Sequence, residues 1–335
     1  MAAKTAGIRA AVVGTGAVGL RAARQLHETD GVSSVVVVSR RAARAAAIAA
    51  DLGGAASAGE WPGVATSVDV VVLAVPDAVQ ADMARVAIGD GADVVATASS
   101  IGAYDAMVGL AHRAASLDRV VVASAAMSPG LTCLLAWRAA RDLDVVDEVH
   151  VATSGTGGPA CARATHAALR GPAALWRDGR WQSEPAGSGR ELCWFPEPVG
   201  GQDCYASSSA ETSLMLALFP TARRISARVA ATRRDRATSW LPMLRPPHPE
   251  GLLGAVRVEV RGWKSGAACT NVMGAVDRPA VAAGTLAALS AVASARGELA
   301  YGVGGLAALA KDPAALLVGL AERGVKVAQY AGGGE

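Results

Sequence analysis

The sequence predicts an α/β protein: a doubly wound parallel sheet at the amino end, then a second, mixed α/β (α+β) domain. Two observations carry that expectation. Up to about residue 125, short, mostly apolar runs (IRAAVV, VSSVVVV, VDVVVLAVP, ADVVATAS, RVVVASA) alternate with alanine-rich stretches at helical spacing. Strands covered on both faces read as continuous rather than alternating runs, and strand–helix alternation builds a parallel sheet. After "MSPGLTCLLAWRAARDL" the texture changes to DEVHVAT, ARRISARVAAT and AVRVEVRGW, with Val256, Val258 and Val260 set between Arg257, Glu259 and Arg261. That alternation marks a sheet with one wetter face.

The elements follow in order. IRAAVV ends in GTGAVG, and Leu20, Ala23 and Leu26 continue as one helical stripe. VSSVVVV is a second strand, and AARAAAIAADLGG is a helix stopped by Gly53 and Gly54. Ser128–Leu131 (SPGL) closes the first domain with a tight turn and starts a helix. The expected division is a dinucleotide-binding domain over residues 1–130, a substrate and dimerisation domain over 131–275, and C-terminal helices over 276–330 that return to the first domain.

Composition narrows the class. Hydrophobic residues make up 52% and charged residues 18%, which is globular rather than disordered. No apolar run reaches the roughly eighteen residues of a membrane span. The start runs into a strand with no signal-peptide core, so a cytoplasmic location is expected. Cys133, Cys161, Cys193, Cys204 and Cys269 are scattered, which argues for reduced thiols and no metal site. The net charge of +3 is spread along the chain, against a nucleic-acid partner. Lysine stands only at positions 4, 264, 311 and 326, so a single arginine carries little information here.

Gly14, Gly16 and Gly19 sit between a strand and a helix, the context that G-x-G-x-x-G requires. The first glycine permits the turn, the second admits the pyrophosphate, and the third lets helix and strand approach. With Ala17 and Val18, these residues offer helix-terminal N–H groups to phosphate. The pattern is that of a Rossmann dinucleotide domain. At the end of the second strand, where an acid would bind the ribose 2′-hydroxyl of NAD, stand Ser39, Arg40 and Arg41. A forked guanidinium suits a 2′-phosphate instead, so NADP(H) is the expected cofactor. Arg44 reads as a solvated helix face. Val75 and Pro76 (AVPD) and Ser99 (ASSIG) end the next strands and fall on the ligand edge of the sheet.

At this point the chain resembles the saccharopine dehydrogenase-like group of NAD(P)-dependent oxidoreductases. The likeness rests on VVGTGAVG, SAAMSPGLTCLLA, GTGGPACARATH, FPEPVGGQDCY and the closing YGVGGLAAL and LAERGV segments. It implies a Rossmann domain, a mixed substrate domain, and hydride transfer at an imine or amine carbon of an amino-acid-like substrate. Related sugar dehydrogenases of the glucose–fructose oxidoreductase type carry a lysine after the fifth strand, usually as EKP. Here that place reads ASSIG, against a sugar alcohol as substrate.

On the substrate side, Gly157 and Gly158 precede Pro159 at a second strand–helix turn whose N–H groups suit a carboxylate. His166, Tyr205 and Asp203 are the candidate acid–base groups, with Asp203 placed to orient Tyr205 or bind an amine. Glu197 between two prolines is a candidate for a cationic substrate, and Arg245 and His248 for the cleft wall. The reading is an NADPH-dependent oxidoreductase acting on a C=N or C–N carbon, with a small-molecule substrate and a homodimer as partner. Two alternatives stay open: an NADP-binding sensor or partner-binding module without turnover, and a ketone or aldehyde reductase.

Overall fold

Six short strands rich in valine and alanine begin the chain: β1 (Ile8–Val13), β2 (Val32–Val38), β3 (Ala56–Gly59), β4 (Val70–Leu73), β5 (Asp93–Ala96) and β6 (Val120–Val122). The structure is a computed structural model describing residues 7–243 and 247–330. All six strands pair in parallel, and a seventh, Gly302–Gly304 (β15 in chain order), joins β6. The order is β15-β6-β5-β4-β1-β2-β3. The chain runs outward in one direction from β1 to β3 and in the other from β4 onward. The resulting crevice lies at the carboxyl ends of β1 and β4, where ligands bind in open α/β sheets.

The helices of this unit are α1 (Ala17–His27), α2 (Ala42–Leu52), α3 (Asp77–Gly89), α4 (Ile101–Val108) and α5 (Ala111–Ser116). They bury alanine faces, including Ala22, Ala23, Ala84 and Ala87, and small side chains let helix and sheet come close. Gly53, in the left-handed region at φ 70, ends α2 as its glycine pair predicts. The chain divides into two units, and the first also takes Ala283–Asp312, which holds most of α10 (Pro279–Ala295) and all of α11 (Leu306–Leu309). The C-terminal return is direct: a Cβ on Gly284 would lie 2.6 Å from Arg21 Cβ on α1. Ser294 Oγ donates to Asp93 at 2.7 Å, and the same carboxylate accepts Val120 N–H at 3.0 Å. One buried acid thus ties α10, β5 and β6, and each donor left unpaired would cost about 1–3 kcal/mol.

The second unit comprises Ser99–Ile101, Met127–Ala282 and Pro313–Glu335. Its strands are β7 (Val145–Ser154), β8 (Pro172–Arg177), β9 (Arg180–Pro185), β10 (Glu191–Trp194), β11 (Gly201–Ala206), β12 (Arg224–Ala230), β13 (Gly254–Lys264), β14 (Ala267–Asp277) and β16 (Lys326–Tyr330). The sheet runs β10-β11-β12-β7-β13-β14-β16, and the β8–β9 hairpin attaches to β12. Only β12 and β7 are parallel on this path, so the sheet is mixed, as predicted. The helices are α6 (Leu131–Ala140), α7 (Pro159–Ala167), α8 (Glu211–Leu218), α9 (Arg233–Ala237) and α12 (Pro313–Glu322). Within the expected C-terminal tail, α12 packs on α6 and β16 pairs with β14, so both belong to this unit.

The alternation is borne out residue by residue. Val149 and Val151, Ile225 and Val229, and Val256, Val258 and Val260 are buried. On the other face Glu259 accepts from Arg257 and Arg261, Glu148 meets His150 Nε2 at 3.0 Å, and His150 Nδ1 meets Ser226 Oγ at 2.8 Å. Burial opposes ionisation of Glu259, yet the two arginines hold its carboxyl below the usual range. Burial outweighs Glu148 at His150 and lowers its pKa. Phe195 and Val199 fold over Ala152, Ala255 and Val276 at one end of this face.

Candidate functional site

Each glycine of the first turn has its own reason. Gly14 has φ +115, and a Cβ there would meet the Ala74 carbonyl oxygen at 2.1 Å. A Cβ on Gly19 would lie 1.9 Å from the Gly14 oxygen. Gly16 is different: a Cβ would meet nothing within 4 Å, because the space above the turn is open. Gly16 caps α1 without a side-chain hydrogen bond, and the helix ladder begins with Leu20 N–H to Gly16 O at 2.9 Å. The N–H groups of Ala17, Val18 and Gly19 therefore have no intrahelical acceptor. Open space facing free donors at a positive helix end fits a dinucleotide pyrophosphate.

The segment after β2 closes onto this turn. Ser39 Oγ lies 3.1 Å from Thr15 Oγ1 and accepts the Arg41 N–H at 3.3 Å. Arg40 is exposed and Arg41 caps α2. Arg44, expected on a solvated face, donates from Nη2 to the Thr15 carbonyl at 2.9 Å. It is built into the glycine turn, and nothing in an arginine-rich sequence distinguishes it beforehand. Further along the same edge, Val75 packs beside Gly14. Gln80, fully buried, donates to Val75 O at 2.7 Å and accepts Thr97 N–H at 3.1 Å, fixing the segments that leave β4 and β5. Pro76 is exposed at the start of α3.

In the second unit the predicted substrate residues fall into separate places. Gly157 and Gly158 are buried at the start of α7, and the 248–251 turn packs on them: a Cβ on Gly251 would lie 2.7 Å from Gly157 O. His248 is exposed on that turn, its Nδ1 accepting Glu250 N–H at 3.2 Å. Arg245 lies outside the described residues. His166 sits in the last turn of α7. Asp203 pairs with Arg190 at 2.9 Å. Tyr205 is buried, and the Arg236 guanidinium stacks over its ring at 4.1 Å. Glu197 is exposed, across the sheet from the valine rows, on the loop that covers Ala152. A cleft of about 200 Å³ lined by Asp69, Asp93 and Arg119 lies at the amino edge of the first sheet, opposite the glycine turn.

Residues 8–124 match the model of an oxidoreductase family with an NAD-binding Rossmann fold. The first domain is the dinucleotide-binding part of an oxidoreductase. Among solved structures, apo saccharopine dehydrogenase (L-Glu forming) from Saccharomyces cerevisiae superposes with a TM-score of 0.72 at 15% identity, over 97% of this chain and 100% of that one. GenD2 from gentamicin A biosynthesis, in complex with NAD, gives 0.51 at 17% identity over 98% of each chain. A probable dehydrogenase from Thermotoga maritima gives 0.52 at 10% identity, over 96% of this chain and 98% of that one. Among curated proteins none matches significantly. At these identities the likeness establishes a shared two-domain fold. No helix among the described residues is long and apolar enough to cross a membrane, and no group of metal ligands gathers among them.

One functional group of the oxidoreductase escaped the sequence reading. Glu211, at the start of α8, is 2% exposed. Its carboxyl accepts Ser128 Oγ at 2.5 Å and Thr132 Oγ1 at 2.8 Å, both from the SPGL turn and the helix it starts. Ala210 N–H donates to Ser99 O at 2.9 Å, so the segments that follow β5 and β6 are both tied to the start of α8. Burial pushes the Glu211 pKa up to about 7, against the pull of the two hydroxyls. The available signal was Ser208-x-x-Glu211 ahead of an apolar run, which reads as a helix capping box. The carboxyl turns instead toward a turn some eighty residues earlier in the chain.

Proposed function

We propose that this chain is an NADPH-preferring oxidoreductase that moves hydride to or from the C=N or C–N carbon of a small amino-acid-derived metabolite. The observation that carries the reading is the dinucleotide edge: an open glycine turn beside Ser39, Arg40 and Arg41, with no acid at the end of β2. Bound there, the reduced nicotinamide supplies the hydride. Gly14, Gly16 and the N–H groups of Ala17 to Gly19 take the pyrophosphate, while Ser39, Arg40 and Arg41 take the 2′-phosphate and Arg44 braces the turn. Arg40→Asp is expected to raise the NADPH Kd at least tenfold, about 1.4 kcal/mol, and to change the NADH Kd far less. Fluorescence titration measures both; equal losses would remove Arg40 as the selector.

The substrate class has two supports: no lysine stands in ASSIG, and the full-length fold is shared with saccharopine dehydrogenase. For a substrate carboxylate, the Gly157–Gly158 turn under the His248 loop supplies helix-terminal N–H groups. The test is NADPH oxidation with a panel of 2-oxo acids, with and without ammonium or primary amines. Turnover that requires the amine supports imine reduction, and turnover without it identifies a carbonyl reductase. NADPH binding with no turnover identifies a sensor. A second copy of this chain is the partner proposed for the polar sheet face, whose Glu148, Arg257, Glu259 and Arg261 offer both signs of charge to a two-fold mate. Sedimentation should give a dimer that dissociates on Arg261→Glu, and a wild-type monomer would end that assignment.

A further inference from the structure

We infer that Ser128 is the proton donor of the reaction and that Glu211 feeds it from within the fold. The inference rests on the oxidoreductase reading above. Glu211 is the one glutamate among the described residues that is both almost fully buried and without a basic partner; Glu259, also buried, meets two arginines. A carboxylate is costly to bury alone, whereas a carboxylic acid bonded to hydroxyls is not. The pKa near 7 that burial imposes leaves the proton on Glu211 at neutral pH and lets it leave at little cost, which is what an acid working near neutrality needs.

The geometry gives that proton a path. Ser128 is half-buried, and its Oγ lies 2.5 Å from Glu211 Oε1. When Glu211 is ionised, Ser128 donates to it; when Glu211 is protonated, its O–H donates along the same line and frees the serine proton for another acceptor. Thr132 Oγ1, 2.8 and 3.1 Å from the two carboxyl oxygens, holds the carboxyl in place in both states. Ser128 lies on the segment leaving β6, and Ser99 on the segment leaving β5 is tied to Ala210 next to Glu211. Both segments come from the carboxyl edge, where ligands of such sheets lie. As the substrate nitrogen or oxygen gains the electron pair displaced by hydride, Ser128 Oγ gives it a proton. Ser128 then takes the Glu211 proton, and solvent returns one to the carboxylate. Among the described residues no charged side chain contributes to the Glu211 shift; the titratable group that feels its charge is the buried Cys133 thiol on α6, pushed up by burial and by Glu211.

The test uses the full chain with Glu211→Gln and Ser128→Ala. Both variants should bind NADPH within about twofold of wild type. With the best 2-oxo acid and amine of the panel, kcat should fall at least tenfold in each with little change in KM. The alkaline fall of kcat near pH 7 should disappear in Glu211→Gln. Wild-type kcat and an unchanged pH profile in that variant would overturn the inference. If wild type binds NADPH but oxidises it with no member of the panel, the functional reading fails. The relay is then judged by infrared difference titration: a protonated-carboxyl band at pH 6, absent in Glu211→Gln and shifted in Ser128→Ala, supports it, and no such band overturns it.

Discussion

Gly16→Ala is expected to leave folding intact and to weaken NADPH binding at least tenfold. The backbone at Gly16 (φ −76, ψ −177) is one that alanine adopts freely, and its Cβ would meet nothing within 4 Å. The stability cost should stay within about 1 kcal/mol, the usual scale at a helix cap. The added methyl points into the open space where the pyrophosphate must approach the backbone. Gly14→Ala and Gly19→Ala should behave oppositely. Gly14 combines φ +115 with a Cβ position 2.1 Å from Ala74 O, and the Gly19 position lies 1.9 Å from Gly14 O. Backbone has to shift in both, at about 3 kcal/mol or more. Urea unfolding beside NADPH titration separates the three. Wild-type affinity in Gly16→Ala would mean the pyrophosphate does not cross this turn.

That contrast also marks how far the sequence is legible. Strand and helix periods expose the first sheet, because its strands are buried on both faces and nothing else gives such unbroken apolar runs. The glycine turn and Ser39–Arg41 follow from position alone. The mixed sheet is legible where it alternates, in β7, β12 and β13. It is not legible in β10, β11, β14 or β16, whose small and polar residues have no clear period. Side-chain partners depend on contacts far apart in the chain, so single residues mislead. Tyr205 looks like a loop acid in GGQDCY but is a buried strand residue under Arg236. Arg44 looks like background but bonds Thr15 O, 29 residues away. Glu211 lies 83 residues from Ser128, and only the fold brings them together.

Glu211→Gln should make the protein more stable above neutrality and less sensitive to pH. The folded-state pKa of Glu211 is about 7, above the ordinary 4.5, so between those values the folded chain holds a proton that the unfolded chain has lost. Stability therefore falls as pH rises through this window. The contribution is fully present below about pH 4.5 and lost once pH passes 7. A shift of this size corresponds to about 3 kcal/mol, a large share of a typical domain's stability. Glutamine keeps a carbonyl oxygen for Ser128 and Thr132 and carries no charge at any pH. Urea midpoints at pH 5 and pH 8 should drop for wild type and stay nearly level for the variant, with the variant ahead at pH 8. Parallel falls in both proteins would mean that Glu211 stays ionised in the fold. The same titration that weakens the fold is the one the proton relay requires, so a carboxyl kept here for its proton reduces stability at the pH where it would be used.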